Sequence, residues 1–277
     1  MHRATDILGT ISNRKAAGEP FALATVVRTV AATAAKAGAK AVILPDGTIS
    51  EGWIGGGCAR AAVLKAAKDA LADGRSRLVS VQPPAALDDH GHKAGEEQEG
   101  VRFAKNMCPS QGTMDIFVEP VLPRPQIVIC GSSPIAIALA DLGRQIGFAV
   151  TICAPTPEQS AFTDADNRIE GYALPVEEGG DRYVVVSTQG RGDEAVLLAA
   201  LAVNTDYVAF VGSKRKAEAL RATLAQRGIT PEHLAKLKAP AGLDLGAITP
   251  DEIAISILAE IIHVRRGKAP RRAPAAP

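Results

Sequence analysis

The sequence predicts an α/β protein in which a small N-terminal α+β domain precedes a Rossmann-like parallel-sheet domain. Alanine is abundant and glycine occurs 26 times, a composition that favours short turns and close packing of helices on sheets. Turn signals separate short strands in the first half of the chain, whereas strands alternate with helices after residue 126. A hydrophobic fraction of 47% with a charged fraction of 22% excludes extensive disorder.

The N-terminal half carries the patterns of a helix, a strand, a hairpin and a second helix. An amphipathic period predicts a helix over 4–17, and the β-branched residues of 21–29 are typical of a strand. A Pro-Asp-Gly turn at 45–47 joins two short strands and predicts a hairpin. An alanine-rich helix over 59–71 and a short strand over 77–81 follow.

The middle of the chain changes composition twice. Residues 82–100 hold prolines and acidic residues without an apolar period, which predicts a long exposed loop. Residues 101–107 and 113–118 are predicted strands of a hairpin whose turn is 108–112. Three prolines within 119–125 predict an interdomain linker. The predicted organisation is an N-terminal domain over 1–118, a linker over 119–125, a Rossmann-like domain over 126–267 and a disordered tail over 268–277.

A buried strand at 127–130 is followed by a helix that begins on proline, as at the start of a dinucleotide-binding fold. Gly131, Ser133 and Ala136 occupy the three small-residue positions of the fingerprint, although Ser133 adds a side chain where backbone should approach a pyrophosphate. The next strand ends at 153–155 without the carboxylate that binds ribose. The pattern predicts the fold and argues against NAD(P). The candidate cofactor-binding residues here are Gly131, Ser132 and Ser133.

A glycine run precedes Cys58 between a strand and a helix. Convergent backbone N–H groups and a helix N-terminus favour the thiolate of a cysteine there, which could ligate a soft metal or accept sulfur. A tight turn with a small buried thiol is the alternative. Cys108 lies in a predicted turn and is expected to be accessible, whereas Cys130, Cys153 and Trp53 are expected to serve packing. The candidate residues are therefore Gly55, Gly56, Gly57, Cys58 and Cys108.

A basic segment opens a helix after a predicted strand at 207–211. Its backbone donors, hydroxyl and cations suit a phosphate group, and the alternative is a capped, solvated basic helix. The candidate residues are Gly212, Ser213, Lys214 and Arg215. His90 and His92 lie in the acidic loop, where a His-x-His pattern is more often accidental than a metal site.

Charge and cysteine content exclude several classes of protein. The formal net charge of +1 excludes a general basic surface for nucleic acid. No run approaches the roughly 18 apolar residues of a membrane span, and the first residues lack an apolar signal core. Four cysteines without zinc-ligand spacing are too few for a disulfide framework. We therefore expect a cytoplasmic protein with free thiols.

Several segments together resemble the XdhC/CoxI family, the accessory proteins of xanthine dehydrogenase and aerobic carbon monoxide dehydrogenase. The matching segments are Ala24–Thr29, Gly38–Lys40, Gly55–Cys58, Cys108–Pro120, Tyr207–Lys216, Ala239–Gly246 and Thr249–Glu260. They span most of the chain in the family's order. The chain departs from the family pattern at 33–36, at Cys108-Pro109-Ser110 and at the end of the second Rossmann strand.

The resemblance implies a factor that helps molybdenum hydroxylases to mature and is not itself a dehydrogenase. Such a factor binds molybdopterin transiently and assists its sulfuration and its insertion into the apo-enzyme. Cys58, as metal ligand or sulfur carrier, and Cys108 map onto the family's motif cysteines, and Gly212, Ser213 and Lys214 map onto its second-domain basic motif. Besides the apo-enzyme, a cysteine desulfurase and a second copy of the chain are candidate partners. A nucleotide-dependent oxidoreductase and a cysteine persulfide sulfurtransferase are the alternative functions.

Overall fold

The structure is a computed structural model, and it describes residues 6–174, 181–202, 205 and 207–268 of the chain. The chain divides into two compact units, Met1–Pro123 and Arg124–Pro277. Within residues 6–123 the elements are α1 (Ile7–Ala16), β1 (Phe21–Val30), β2 (Lys40–Ile43), β3 (Ile49–Gly52), α2 (Gly57–Asp73), β4 (Arg77–Gln82), α3 (Pro84–Asp89), β5 (Glu97–Gln98), β6 (Val101–Lys105) and β7 (Thr113–Val121).

The strands of the first unit form one mixed sheet in the order β3-β2-β1-β7-β4-β6-β5. Neighbouring strands pair antiparallel, except that β4 and β6 are parallel. Side chains alternate along β1, β4 and β7, so that one apolar set faces the alanine-rich side of α2. Gly74, with φ of 70°, ends α2 and donates its N–H to Ala70 O at 2.8 Å. The core between helix and sheet contains Ala22, Ala24, Val26, Val63, Ala66, Ala67, Ala70, Val79, Val81, Ile116 and Val118.

Three predictions for the middle of the chain are wrong in detail. The strands on either side of Cys108 do not form a hairpin, because β4 lies between β6 and β7 and pairs with both. The predicted loop over 82–100 contains α3 and β5, and Leu87 of α3 is buried. β7 continues to Val121, so residues 119–121 of the predicted linker pair with β1. Long-range pairing decides these features, and local turn signals do not specify it.

The second unit alternates strands with helices, as the sequence predicts. Its described elements are β8 (Gln126–Cys130), α4 (Pro134–Gln145), β9 (Ala149–Ala154), α5 (Thr156–Gln159), β10 (Asn167–Glu170), β11 (Arg182–Val186), α6 (Asp193–Ala202), β12 (Tyr207–Phe210), α7 (Lys214–Gln226), α8 (Pro231–Lys236), β13 (Leu237–Lys238) and α9 (Pro250–Lys268).

All strand pairs described in the second unit are parallel, in the order β10-β9-β8-β11-β12-β13. Numbered along this unit, that order is 3-2-1-4-5-6, the arrangement of a dinucleotide-binding fold. The Rossmann-like prediction is confirmed. Its topological switch point lies between β8 and β11, where ligands of such sheets usually bind at the carboxyl ends of the strands.

Two apolar clusters cover the two faces of the parallel sheet. One joins the sheet to α4 and α9, and the other joins it to α6 and α7. Cys130 and Cys153 are neighbours on β8 and β9 and are fully buried, which confirms that they serve packing. α9 extends through Lys268, where the predicted tail begins, and residues 269–277 of that tail lie outside the described residues. No helix in the described ranges is both long and apolar enough to cross a membrane.

Candidate functional site

The glycine run places Cys58 in the first turn of α2. Gly56 precedes the helix in an extended conformation and provides no side-chain cap. A Cβ on Gly55, whose φ is +113°, would lie 3.2 Å from the terminal methyl of Met114, whereas Gly56 and Gly57 face open space. The first N–H groups of α2 are therefore accessible from the surface next to the Cys58 thiol.

A turn after β6 brings the second candidate cysteine close to the first. The backbone N–H of Met107 donates to Cys58 Sγ at 3.4 Å. Asn106 is buried and holds the turn: its Nδ2 donates to Gly112 O at 2.6 Å, and its Oδ1 accepts from the Cys108 N–H at 3.0 Å. Cys108 is exposed and Cys58 is half-buried. The fold therefore brings both predicted cysteines to one edge of the first unit.

The two histidines considered as metal ligands contact neighbouring groups of the first unit. The His92 ring stacks on Phe103 with centroids 3.8 Å apart, and His90 Nδ1 lies 2.7 Å from Ala86 O. Among the described residues no group of three or more His, Cys, Asp or Glu side chains could hold a metal ion.

Trp53 was predicted to lie in the core, but its side chain is 53% exposed, because it follows β3 at an edge of the sheet.

At the switch point of the second unit, two of the three fingerprint residues make close contacts with the segment after β11. Gly131 is required there, since its φ is +111° and a Cβ would lie 2.3 Å from Ser187 O. Ser133 Oγ caps α4 by accepting from the Ala136 N–H at 3.1 Å and lies 2.6 Å from Ser187 Oγ. The buried Ser133 side chain therefore bonds within the protein.

Ser132 is also engaged, because its hydroxyl donates to the carboxylate of Glu158. Arg191 forms an ion pair with the same carboxylate. This carboxylate comes from α5 and not from the end of β9, where a ribose ligand is expected. The engagement of Ser132 and the origin of this carboxylate both differ from the dinucleotide-binding fingerprint, and the absence of NAD(P) binding stays a prediction.

An ion pair between the buried Asp193 and the partly exposed Lys216 connects the switch point to the start of α7. Asp193 is 5% exposed and accepts from the Thr188 hydroxyl, from the Gly190 N–H at 3.1 Å and from Lys216 Nζ. Burial opposes ionisation of Asp193, but Lys216 and these hydrogen bonds outweigh it and lower its pKa. Lys216 also lies 5.4 Å from the Phe210 ring centroid. The Lys216 ammonium group is thus already paired within the protein.

Lys214 and Arg215, in contrast, are exposed and make no ion pair within the described part of the chain. Ser213 Oγ caps α7 by accepting from the Lys216 N–H at 3.3 Å. A Cβ on Gly212 would lie 2.4 Å from the Phe210 ring, so glycine is required before the cap. The sequence thus correctly places this basic segment at a helix start after a strand.

A cavity of about 440 Å³ opens beside Lys214. The loop that follows β13 forms one wall, and the first turns of α9 form another. The lining residues are Ile135, Val211, Gly212, Lys214, Pro240, Ala241, Gly242, Leu243, Asp244, Leu245, Gly246, Ala247, Ile253 and Ser256. The walls are mainly apolar, with one cation and one carboxylate, which is the usual character of a small-molecule site.

Hydrogen bonds to α9 hold the loop that forms this cavity. The Gly242 N–H donates to Glu260 Oε2 at 3.0 Å, and the Tyr207 hydroxyl donates to the same oxygen at 2.5 Å. Burial, together with this bond, raises the pKa of Tyr207. Gly242 has φ of +93°, and a Cβ would lie 2.3 Å from Ser256 Oγ.

The predicted capping box closes the loop: Thr249 N–H donates to Glu252 Oε2 at 2.9 Å, and Glu252 N–H donates to Thr249 Oγ1 at 3.3 Å. Sequence reasoning did not identify the cavity. The stretch over 239–246, which contains Gly242 and Gly246, contributes half of the lining residues.

Two family models match the chain, one described as "XdhC Rossmann domain" over residues 127–261 and one described as "XdhC and CoxI family" over residues 15–82. Cys58 lies in the range of the second and the cavity in the range of the first, whereas Cys108 lies outside both.

Among curated proteins, the chain is 29% identical over 254 residues to "Uncharacterized protein YqeB" of Escherichia coli (strain K12), covering 89% of this chain and 44% of that protein. It is 27% identical over 162 residues to a probable subunit of xanthine dehydrogenase from Bacillus subtilis (strain 168), covering 56% of this chain and 47% of that protein. The chain thus matches less than half the length of either relative. A crystal structure described as a xanthine dehydrogenase from Bacillus halodurans aligns with 19% identity and a TM-score of 0.47, covering 96% of this chain and 98% of that one.

Proposed function

We propose that this chain, which belongs to the XdhC and CoxI family, is an accessory factor in the maturation of a molybdenum hydroxylase. In this proposal it binds the molybdopterin cofactor transiently, assists its sulfuration and delivers it to the apo-enzyme. The name of the Bacillus subtilis relative supports a connection with xanthine dehydrogenase. The observation that carries the proposal is the cavity beside Lys214 in the second unit.

The cavity has the features that a phosphorylated heterocycle requires. Its volume of about 440 Å³ lies within the range of small-molecule sites. Apolar walls suit a planar ring, and the amide N–H groups of Gly246 and Ala247 have no acceptor among the described residues, so they are free to bind polar ring atoms. Lys214 at the start of α7 supplies a cation where the helix N-terminus already favours an anion, and this combination suits the phosphate.

Cys58 has a separate role in this proposal, as the soft ligand or sulfur carrier of the first unit. Among the described residues, no group of three or more His, Cys, Asp or Glu side chains could hold a metal ion. The proposal therefore treats molybdenum as part of the transported cofactor. Exposed N–H groups at Gly56 and Gly57 would bind an anionic part of that cargo or a sulfur donor.

Filling the cavity tests the proposal. Ala247→Trp adds a large side chain to the cavity wall, and Ala235→Trp on the exposed surface of α8 is the matched control. Anaerobic titration with molybdopterin should show binding by the parent chain and by the control, and binding at least tenfold weaker by Ala247→Trp. Circular dichroism and melting temperature establish that both variants are folded. A parent chain that fails to bind molybdopterin, or equal affinity in all three proteins, would contradict the proposal.

A cysteine persulfide sulfurtransferase is the second candidate, because Cys58 Sγ contacts the turn that bears the exposed Cys108. Incubation with inorganic polysulfide, followed by mass spectrometry of intact Cys58→Ser and Cys108→Ser variants, tests it. A sulfur atom added only when Cys58 is present supports this function, and the absence of any such adduct argues against it.

A further inference from the structure

One side of α9 bears an ordered stripe of exposed residues. Its opposite side is buried against the second unit through Ala254, Ile257 and Ile261. Five residues follow one another at intervals of four, four, three and four, which places them on one side of the helix. Asp251, Ile255, Ile262 and Arg266 are exposed, Ala259 between them is half-buried, and we call the five residues the α9 stripe.

The α9 stripe exposes apolar surface between two charges of opposite sign. Ile255 is 51% exposed and Ile262 is 41% exposed, both large values for isoleucine in a helix. Asp251 and Arg266 are exposed, and neither forms an ion pair with any residue that the structure describes. Nothing in the described part of the chain covers this surface.

The order of residues in the stripe is self-complementary under a two-fold rotation. Asp251 lies four residues before Ile255, and Arg266 lies four residues after Ile262. If a second α9 crosses in the antiparallel direction, each Asp251 therefore faces Arg266 of the other copy and each Ile255 faces its Ile262. The small Ala259 lies near the crossing point, where a small side chain permits close approach. A parallel copy would instead align like charges.

We infer that the α9 stripe is the interface through which two copies of this chain associate, antiparallel, about a two-fold axis. An isologous interface uses the same patch on both copies, and this patch matches itself in apolar content and in charge. Burying the isoleucines supplies most of the affinity, and the two ion pairs set the direction of pairing. This inference is independent of the proposed cavity ligand.

Charge reversal tests the inference, because each substitution acts twice across a two-fold axis. Asp251→Arg alone, or Arg266→Asp alone, places like charges opposite each other in the homodimer. The association constant of either variant should fall on the order of tenfold. The double variant should restore association. Ile255→Glu should lower the association constant on the order of 100-fold, because it puts two carboxylates into the apolar centre.

The decisive experiment mixes the two single variants. In a mixed dimer, the arginine introduced at position 251 of one copy faces the aspartate introduced at position 266 of the other. The native Arg266 of the first copy and the native Asp251 of the second also face each other. The mixture should therefore associate as the parent chain does, although neither variant does so alone. Sedimentation velocity over a concentration series, with native mass spectrometry to identify the mixed species, measures this.

The control is Glu232→Arg, an exposed reversal on α8, which should leave association unchanged. Circular dichroism checks that the variants fold. Should Asp251→Arg unfold because a cation now occupies the first turn of α9, Ile262→Ala provides a milder test through lost apolar contact. A parent chain that stays monomeric overturns the inference, even if the α9 stripe instead captures a client protein. Dimers insensitive to every stripe variant, or a mixture that fails to associate, also overturn it.

Discussion

Replacing Lys214 and Arg215 with alanine removes the two exposed cations at the start of α7. Each charge-assisted hydrogen bond that they donate to a phosphate should contribute about 1.5–3 kcal/mol. Because about 1.4 kcal/mol corresponds to a factor of ten, the loss of two contacts near the lower value reduces affinity on the order of 100-fold. An exposed site is screened by salt, so the lower value is the appropriate one.

The same double substitution should leave the helix intact. Ser213 still accepts from the Lys216 N–H at 3.3 Å, and the Lys216 ion pair with Asp193 is untouched. Removing cations from a helix N-terminus relieves an unfavourable interaction with the helix dipole, so the melting temperature should stay constant or rise slightly. Loss of affinity can therefore be separated from loss of fold.

The assay is anaerobic titration with molybdopterin at low and moderate ionic strength. The parent chain should bind less tightly as salt increases, and the double variant should show a smaller salt dependence. Lys236→Ala with Lys238→Ala removes two exposed cations elsewhere in the same unit and should not change affinity. If the Lys214–Arg215 variant is folded and binds as tightly as the parent chain, the basic segment is a solvated helix start and does not bind the phosphate.

Three further predictions concern the same two units. In thermal unfolding, Gly242→Ala should destabilise the fold by about 2 kcal/mol more than Gly228→Ala. Both glycines have a positive φ, but only at Gly242 would the added Cβ clash with the Ser256 side chain. Equal losses of stability in the two variants would contradict this clash. Cys58→Ser should leave the melting temperature nearly unchanged, yet the client hydroxylase should then lack active cofactor. As a control, Cys130→Ser in the buried sheet should lower the melting temperature. A Cys58→Ser protein that is destabilised but still matures the hydroxylase fully would exclude the proposed role. Calorimetric titration should detect no binding of NAD or NADP, and a micromolar dissociation constant for either would favour the oxidoreductase alternative.

The fold class followed from the sequence because its signals are local. Alternating strands and helices, a helix that begins at Pro134 and the capping box at Thr249 each depend on residues close together in the chain. Pairing between distant segments is not local. The insertion of β4 between β6 and β7 has no signature near Cys108, so the turn was predicted to be a hairpin tip. The exposure of Trp53 likewise depends on where its strand lies in the sheet.

For the same reason, only part of the candidate site could be predicted from the sequence. Cys58, Cys108 and Lys214 could be selected because their neighbours indicate a helix start or a turn. The cavity could not, because its walls come from Ile135, from the start of α7 and from the segment between β13 and α9. Only the fold of the parallel sheet brings these segments together. The contact between Cys58 Sγ and the Met107 N–H is long-range for the same reason.

The starts of α4 and α7 were both candidates for anion binding, and their surroundings differ. At α4, the capping Ser133 is buried and bonded to Ser187, and Ser132 donates to a carboxylate that is already paired with Arg191. An incoming phosphate would have to displace these contacts and approach Glu158.

At α7, the capping serine is exposed, Lys214 has no partner among the described residues, and an apolar cavity adjoins it. Binding there requires no ion pair to break, because the neighbouring Asp193 is neutralised by Lys216. A ligand of this parallel sheet should therefore lie beside Lys214 at the carboxyl ends of β12 and β13, with Ile135 of α4 on one wall of its cavity. Its phosphate would then lie at the start of α7, whereas the strand order alone would suggest a phosphate at the start of α4.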